Sequence, residues 1–383
     1  MYYNDFKDIK LSGLGMGCMR FPVIDGDESK IDQAAVQEMV DYAMANGINY
    51  YDTAWGYHGG NSETSIGEAL SKYDRDSYYL ATKFPGYDLG NFEKHEEIFY
   101  KQLEKCKTDH FDFYLYHVVS EENIERYLND DCGLTDFLVR MKEEGKIRYL
   151  GFSCHCSLET MHSFIKKYWR HLDFCQIQLN YLDFEFQNAK FKVEELNNLD
   201  LPIWVMEGLR GGKLANSALG AEKMLARSNP DYTPAQWAFA FLESVPGVTM
   251  ILSGMSNLEQ VKQNIDFFSE KRPLDDDDIA TLLTAAHFEI TNTKKGMVPC
   301  TTCSYCKSKC PQELNIPELL RLHNEYIISD GKSNLAGDIA DYPENKRPSA
   351  CIGCGACAKV CPQKIDIPGT MTMITENVAK TKK

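Results

Sequence analysis

Short apolar runs alternate with longer amphipathic stretches along the first 290 residues of the chain. The short runs, rich in aliphatic and aromatic residues, predict buried strands, and apolar positions three and four apart between them predict helices. The predicted strands are Leu14–Met19, Tyr50–Asp52, Tyr79–Lys83, Phe113–His117, Arg148–Ser153, Phe174–Leu179, Ile203–Met206 and Thr249–Leu252. Eight strand–helix units of this length predict a (β/α)8 barrel, an α/β fold whose parallel strands close into a ring.

A doubly wound open sheet is the alternative for such a pattern. That fold usually carries a glycine-rich phosphate turn directly after an early strand. Gly13, Gly15 and Gly17 follow one another too closely for the G-x-G-x-x-G spacing of that turn. The pattern therefore favours the barrel for residues 1–290.

Residues 291–383 have a different character, because eight of the chain's 14 cysteines lie in its last 84 residues. They form two copies of C-x2-C-x2-C-x3-C-P, the spacing that binds [4Fe–4S] clusters, in which the fourth cysteine of each copy serves the other cluster. The predicted ligand sets are Cys300, Cys303, Cys306 and Cys361 for one cluster, and Cys351, Cys354, Cys357 and Cys310 for the other. The helical pattern at Pro317–Ile328 predicts a mainly α-helical, ferredoxin-like domain with two clusters.

Zinc would require paired C-x2-C motifs, and a disulfide framework would suit a small secreted protein. The chain's N-terminus lacks a signal-peptide pattern, and no stretch approaches the ~18 apolar residues of a membrane helix. Exposed clusters and free thiols need a reducing compartment, so we expect a cytoplasmic protein without a membrane partner.

The formal net charge of −15 argues against nucleic acid as a partner. Residues 294–383 nevertheless hold 13 Lys and Arg against 9 Asp and Glu. A positively charged cluster domain of this kind would suit an acidic electron carrier such as ferredoxin or flavodoxin.

Ionisable residues follow three consecutive predicted strands at their C-terminal ends, where barrel enzymes place their chemistry. Asp52 and Tyr57 follow the second strand, Lys83 ends the third and His117 ends the fourth. A tyrosine becomes an effective proton donor or acceptor when a cation stabilises its phenolate, and Lys83 would supply that cation. Each residue alone has an ordinary structural explanation, but four on one rim indicate an active site.

The run YDTAWGYHGGNSETSIGEAL (51–70), with ATKF (81–84) and YLYHV (114–118), resembles the aldo-keto reductase superfamily. KIRYLGFS (146–153), CQIQLNY (175–181) and SGMSNLEQVKQNI (253–265) extend the resemblance over residues 1–270, and the two-cluster domain is similar to that of the iron–sulfur members. The resemblance implies hydride transfer between NAD(P)H and a small carbonyl or alcohol, with Tyr57 as general acid, Lys83 and Asp52 as its support, and His117 on the carbonyl oxygen.

The same resemblance implies a cofactor lying extended on the barrel top. Ser153 and Gln176 would hold its carboxamide. Its adenosine phosphate would bind at Ser253, Gly254, Ser256, Gln260 and Asn264. Trp55, His58 and Phe84 are expected to line the substrate pocket.

Three positions depart from the family pattern. Met206 replaces an aromatic residue that stacks on nicotinamide, Cys154 replaces an asparagine, and Asn257 replaces an arginine that contacts the 2′-phosphate of NADP. The GLRGG run offers a phosphate site through Gly208, Arg210 and Gly212, which would suit FMN.

A flavin would also link two-electron hydride chemistry to one-electron clusters. The alternative function is therefore a flavin-containing electron-transfer adaptor without a dedicated carbonyl substrate. A redox sensor is disfavoured because all four rim residues are present.

Cys154-His155-Cys156 ends a predicted strand and could be a redox pair or a metal site. Adjacent side chains on a strand face opposite ways, which favours ordinary, unreactive thiols.

Overall fold

The computed structural model describes residues 1–186, 189–216, 225, 229, 231–291, 296–300, 305–328, 331, 333–361 and 363–381. They form two compact units, Met1–Ala286 and His287–Lys383. The first unit contains the strands β1 (Tyr3–Phe6), β2 (Ile9–Ser12), β3 (Leu14–Gly17), β4 (Tyr50–Asp52), β5 (Tyr79–Phe84), β6 (Phe111–Val119), β7 (Ile147–Cys154), β8 (Phe174–Gln178), β9 (Ile203–Met206) and β10 (Val248–Ser253).

Strands β3 to β10 form a closed barrel of eight parallel strands, in which β10 pairs with β3. This confirms the predicted fold class. Strand β3 ends earlier than predicted, at Gly17, because Cys18–Arg20 form a 3-10 turn, whereas β6 extends beyond His117 to Val119. Apart from such shifts of one or two residues, the apolar runs mark the barrel strands.

Helices surround the barrel on the outside. They span Gln33–Ala45, Ser62–Leu70, His95–Lys105, Ile124–Asn129, Leu134–Glu143, Leu158–Tyr168, Tyr181–Phe186, Ala189–Asn198, Lys213–Asn216, Pro234–Ser244, Leu258–Phe267 and Asp276–Thr291. Their starts follow local capping chemistry. Thr233 and Gln236 form a capping box before the helix that begins at Pro234, and the Asn257 side chain caps the helix that begins at Leu258.

The antiparallel hairpin of β1 and β2 closes the N-terminal end of the barrel. Phe6 and Leu11 pack among the first residues of the barrel strands, including Tyr50, Phe113 and Trp204, and the Phe6 and Trp204 ring centroids are 4.9 Å apart. This apolar plug leaves the opposite, C-terminal end of the barrel as the open one.

The second unit is helical, with helices at Ile316–Ile328, Leu335–Ala340, Ala356–Lys359 and Ile367–Thr381 and a separate apolar core. The two sequence copies adopt the same turn after their fourth cysteine. Glu313 N–H donates to Cys310 O and Lys364 N–H donates to Cys361 O, and both Glu313 and Lys364 have positive φ values near 50°. Among the described helices, none combines the length and apolar character needed to cross a membrane.

Candidate active site and cluster motifs

The four predicted rim residues come together at the C-terminal end of the barrel. Asp52 is the last residue of β4, Lys83 and His117 lie near the ends of β5 and β6, and Tyr57 begins the turn after β4. The fully buried Lys83 ammonium group donates to Asp52 Oδ1 at 2.6 Å and to Thr53 O at 2.7 Å, and it lies 5.2 Å from the centroid of the Tyr57 ring. Lys83 is therefore held between a carboxylate and a phenol.

The charges of this cluster depend on one another. Burial works against the charge of Lys83, but Asp52 and Tyr57 outweigh it and raise the pKa of Lys83 above its ordinary value. Burial also raises the pKa of Asp52, with Lys83 opposing that rise. Burial raises the pKa of Tyr57 as well, and Lys83 opposes it through charge and a hydrogen bond. At neutral pH, Tyr57 is thus a neutral phenol with its proton available for transfer.

His117 completes the cluster from the neighbouring strand. Its ring meets the Tyr57 ring edge-on at a centroid distance of 5.9 Å. Burial lowers the pKa of His117 well below its usual range, and the positive charge of Lys83 adds to the effect. His117 is therefore a neutral imidazole that offers a hydrogen bond without adding charge.

A buried polar network supports Lys83 from behind. The Glu63 carboxylate, which is fully buried, accepts hydrogen bonds from Thr82, Gln102 and Lys105 at 2.7 to 2.8 Å. Gln102 also donates to the Lys83 backbone carbonyl at 3.0 Å. Because each polar group has a partner, the network holds the end of β5 in one position.

The three residues expected to line the pocket each have a contact within the barrel unit. The Trp55 ring lies under the Lys105 ammonium, buried His58 accepts from the Phe21 backbone N–H, and Phe84 packs against Phe92. Tyr87, which sequence reasoning missed, has its ring centroid 5.5 Å from that of His117 and is 45% exposed. Its position in a loop after β5 carries no periodic signal, which is why the pattern did not reveal it.

Ser153 and Gln176 pair directly across β7 and β8. The Ser153 hydroxyl accepts from Val118 N–H at 2.8 Å, so it is held near His117. Gln176 is buried, and its Oε1 has no hydrogen-bond partner among the described residues. A buried acceptor of this kind is expected to have a partner, and a carboxamide group supplies the N–H it lacks. The pair therefore fits a nicotinamide.

The predicted phosphate residues lie where β10 meets the helix Leu258–Phe267. Asn264 donates to the Ser253 hydroxyl at 3.1 Å, and the Gln260 side chain accepts from Ser256 N–H at 2.8 Å. Gly254 is exposed, and a Cβ added to it would lie 2.7 Å from Arg20 Cγ. These contacts fix the loop in place while leaving Gly254 open to solvent.

The GLRGG run forms a loop after β9, in which Arg210, Gly211 and Gly212 all have positive φ. The Arg210 guanidinium contacts the buried Asp183 carboxylate at 3.2 Å, so its charge is engaged within the protein. The exposed Arg20 approaches both this loop and Gly254: its guanidinium would lie 3.5 Å from a Cβ added to Gly211. Gly208 packs against Leu242 at the base of the loop. Arg20 is a cation at this rim that the sequence pattern did not single out.

One of the two predicted cysteine sets lines a single pocket in the second unit. Cys351, Cys354 and Cys357 from the second copy face Cys310 from the first, and the rest of the lining is largely apolar: Pro311, Gln312, Leu314, Ile316, Ile352, Gly355, Ile367, Pro368 and Met371. A cluster spreads its four thiolates around a cube. Within the described ranges, no three His, Cys, Asp or Glu side chains are gathered closely enough for one ion. The crossed grouping and apolar lining fit a [4Fe–4S] cluster.

The other predicted set is described in part. Cys300, Cys306 and Cys361 belong to or contact the apolar core of the second unit, and Cys303 lies outside the described residues.

Crossed ligation predicts a distinctive iron content in double variants. We expect C310S to lose one cluster, about four iron atoms, and C310S/C354S to lose no more, because both cysteines would serve the same cluster. C310S/C306S should lose both clusters. Iron and sulfide analysis of anaerobically purified protein measures this. If C310S/C354S loses both clusters and C310S/C306S only one, each motif binds its own cluster and the crossed assignment is wrong.

Comparison with known proteins agrees with this architecture. The aldo/keto reductase family model matches residues 13–286, and a 4Fe-4S dicluster domain model matches residues 299–365. The chain is 24% identical over 297 residues to the uncharacterized oxidoreductase YqkF of Bacillus subtilis, an alignment covering 70% of this chain and 90% of the relative. It is 25% identical over 304 residues to the NADH-specific methylglyoxal reductase of Escherichia coli, covering 67% and 90%.

Solved structures share the barrel. The holo form of the aldo-keto reductase AKR11C1 from Bacillus halodurans superposes with a TM-score of 0.61 at 22% identity, covering 74% of this chain and 96% of that one. An aldo/keto reductase from Klebsiella pneumoniae in complex with NADP and acetate gives 0.56 at 20% identity, covering 72% and 92%. The family match spans most of the chain, and we conclude that this protein belongs to the aldo/keto reductase family and carries a C-terminal 4Fe-4S dicluster domain.

Proposed function

We propose that this oxidoreductase transfers hydride between NAD(P)H and a small carbonyl compound, or the matching alcohol, and exchanges single electrons through two [4Fe–4S] clusters. The observation that carries the first half is the buried Lys83 held between Asp52 and Tyr57. The proposed domains are residues 1–290 for the hydride chemistry and 291–383 for the clusters. A reducing compartment such as the cytoplasm suits the free thiols.

The chain's own residues account for the proton in this reaction. Ser153 and Gln176 would hold a nicotinamide, which would supply or accept the hydride. Reduction leaves negative charge on the carbonyl oxygen, and the Tyr57 hydroxyl donates its proton there. The Lys83 ammonium stabilises the phenolate that remains, and Asp52 keeps Lys83 charged. Neutral His117 hydrogen-bonds the same oxygen and sets its orientation.

The residues around the rim indicate how the cofactor is held. Gln176 Oε1 has no hydrogen-bond partner among the described residues, and the N–H of a carboxamide ligand would supply one. The proposed phosphate site is the loop that contains Ser253, Gly254 and Ser256. Gln260 and Asn264 hold this loop through hydrogen bonds, and Arg20 adds a cation beside it. Asn257 is used as a helix cap, so an arginine contact to a 2′-phosphate is absent at that position. NADH is therefore a substrate to test alongside NADPH.

The alternative is an electron-transfer adaptor that holds FMN at Gly208, Arg210 and Gly212. One observation argues against the adaptor. Arg210 already contacts the buried carboxylate of Asp183, which partly neutralises the positive charge that would attract a phosphate. A flavin absorbance band in the purified, cluster-loaded protein would support the adaptor. Ferredoxin or flavodoxin is the proposed partner, because residues 294–383 carry more Lys and Arg than Asp and Glu.

The deciding experiment uses anaerobically purified, cluster-loaded protein. NADPH or NADH is added first alone, while the clusters are followed by electron paramagnetic resonance, and then with a carbonyl panel that includes methylglyoxal, the substrate named for the E. coli relative. Cofactor oxidation that depends on a carbonyl supports the hydride chemistry. A reduced-cluster signal at the catalytic rate supports electron exchange. Cofactor binding without turnover on any carbonyl, together with a flavin band, would favour the adaptor.

A further inference from the structure

Two cysteines at the end of β7 lie close enough to react with each other. Cys154 is the last residue of the strand and Cys156 follows two positions later, where the chain bends, and their Sγ atoms are 3.4 Å apart. The sequence-based expectation of unreactive thiols considered only adjacent positions, and Cys154 and Cys156 are two positions apart. The bend after the strand brings their two side chains together on one side of the chain.

The surroundings of this pair favour a thiolate. The hydrogen bond from Cys156 lowers the pKa of Cys154 to about 6 against the opposing effect of burial, and the Lys192 ammonium assists. Lys192 in turn has a raised pKa because Cys154, Cys156 and Cys175 outweigh its burial.

Other buried thiols of the barrel provide the contrast. Cys18 and Cys106 are as deeply buried as Cys154, and burial raises the pKa of each well above its ordinary value. Burial alone therefore does not make a reactive cysteine here. The hydrogen bond with the Cys156 thiol is what distinguishes Cys154.

We propose that Cys154 and Cys156 form a redox-active dithiol that hydrogen peroxide converts into an intramolecular disulfide. The Cys154 thiolate attacks one peroxide oxygen, the O–O bond breaks, and one water leaves, which gives a sulfenic acid at Cys154. The Cys156 sulfur then attacks the Cys154 sulfur and expels a second water. Overall, two thiols are oxidised by two electrons and one peroxide is reduced to two waters. A small dithiol reductant reverses the reaction.

The geometry suits this closure. A disulfide requires the sulfur atoms to approach from 3.4 Å to about 2.05 Å. Peroxide is small enough for a buried pair, of which Cys156 is 5% and Cys154 is 1% exposed. His155 lies between the two cysteines, and its electrostatic interactions reach His117 and Lys83. The dithiol is therefore adjacent to the catalytic rim, although it takes no part in the proton transfer.

Peptide mass spectrometry on the full, cluster-loaded chain tests the proposal without measuring activity. Trypsin is expected to release residues 149–166, which contain Cys154 and Cys156 alone among the cysteines, and residues 171–190, which contain Cys175 alone. Protein treated with increasing peroxide in the presence of a chelator is quenched with catalase, alkylated and digested. We expect an internal disulfide in 149–166, about 2 Da lighter than the dithiol and unalkylated, at doses where Cys175 is still fully alkylated.

Single variants then assign the two roles. Dimedone should label Cys154 in C156S, because the sulfenic acid there has no thiol to resolve it, and should label residue 156 in C154S far less. Thermal unfolding of both variants shows whether each remains folded. Two alkylated cysteines in 149–166 at doses that oxidise Cys175 would overturn the proposal, as would equal dimedone labelling in folded C154S and C156S. Because the readout is peptide mass, a failure here is independent of whether the barrel reduces carbonyls.

Discussion

Replacing Tyr57 with phenylalanine is expected to lower kcat for carbonyl reduction by about 10²–10⁴-fold, the usual contribution of a general acid. The change removes one hydroxyl and keeps the ring that packs edge-on against His117. The developing oxyanion would keep the proposed hydrogen bond from His117 but would lose the proton that Tyr57 donates. Steady-state kinetics with the best carbonyl from the panel, and a separate cofactor titration that should be unchanged, measure the effect.

The control for this substitution is Y100F, which deletes the same atom from a tyrosine that is 47% exposed on the outer helix His95–Lys105. Its kcat should equal that of the parent protein.

Because Tyr57 has a raised pKa and His117 a lowered one, both residues keep their protonation state from pH 6 to 9, and kcat for reduction should be flat across this range. A Y57F enzyme that retains most of its kcat would remove Tyr57 from the mechanism and favour the adaptor.

Replacing Lys83 with methionine is expected to destabilise the barrel by about 3–5 kcal/mol at pH 8, the typical cost of removing one partner from a buried ion pair. The substitution approximately preserves the length of the side chain at position 83, but it leaves the Asp52 carboxylate buried without its cation. Asp52 Oδ2 already lacks a partner among the described residues, and Oδ1 would lose Lys83. Thermal unfolding of cluster-loaded protein at several pH values measures the loss.

The pH dependence of that loss follows from Asp52. Burial already raises its pKa, and removing Lys83 takes away the effect that opposes the rise. A carboxyl whose pKa is higher in the folded than in the unfolded state favours folding at low pH, and this advantage is lost as pH rises through the folded value. The K83M penalty should therefore be smaller at pH 5 than at pH 8, and D52N/K83M should recover part of it. An equal penalty at both pH values, with no recovery, would contradict the ion pair.

The barrel and the grouping of the four rim residues were predictable from the order of the strands along the sequence. Apolar runs identify strands, and parallel strands in a barrel necessarily bring their C-terminal ends to one rim, so Asp52, Lys83 and His117 had to be neighbours. Strands β4 and β9 have the predicted bounds, Tyr50–Asp52 and Ile203–Met206. Similarly, the repeated C-x2-C-x2-C-x3-C-P motif, whose fourth cysteine serves the other cluster, was enough to anticipate that Cys310 and Cys351 would share a pocket.

Other features depend on the path of irregular segments, which hydrophobic periodicity does not encode. Tyr87 reaches His117 from a loop, and Arg20 reaches Gly254 from a 3-10 turn that cuts short a predicted strand. The hairpin of β1 and β2 escaped detection because both strands mix polar with apolar residues and form no continuous apolar run. The phosphate role of Arg210 was predicted only from the glycines next to it in sequence. Its actual partner, Asp183, lies 27 residues away, where the local pattern gives no sign of it.

The hairpin that plugs the barrel has a consequence for the order in which the chain is made. Asn4 donates to the backbone carbonyl of Thr249, 245 residues later, and Tyr2 N–H donates to Phe268 O. At typical synthesis rates, Asn4 is made roughly 12–50 s before its partner Thr249. Throughout that interval Phe6 and Leu11 have no completed barrel to cover them. The nascent chain, rather than the finished enzyme, is therefore the form in which these apolar side chains are exposed.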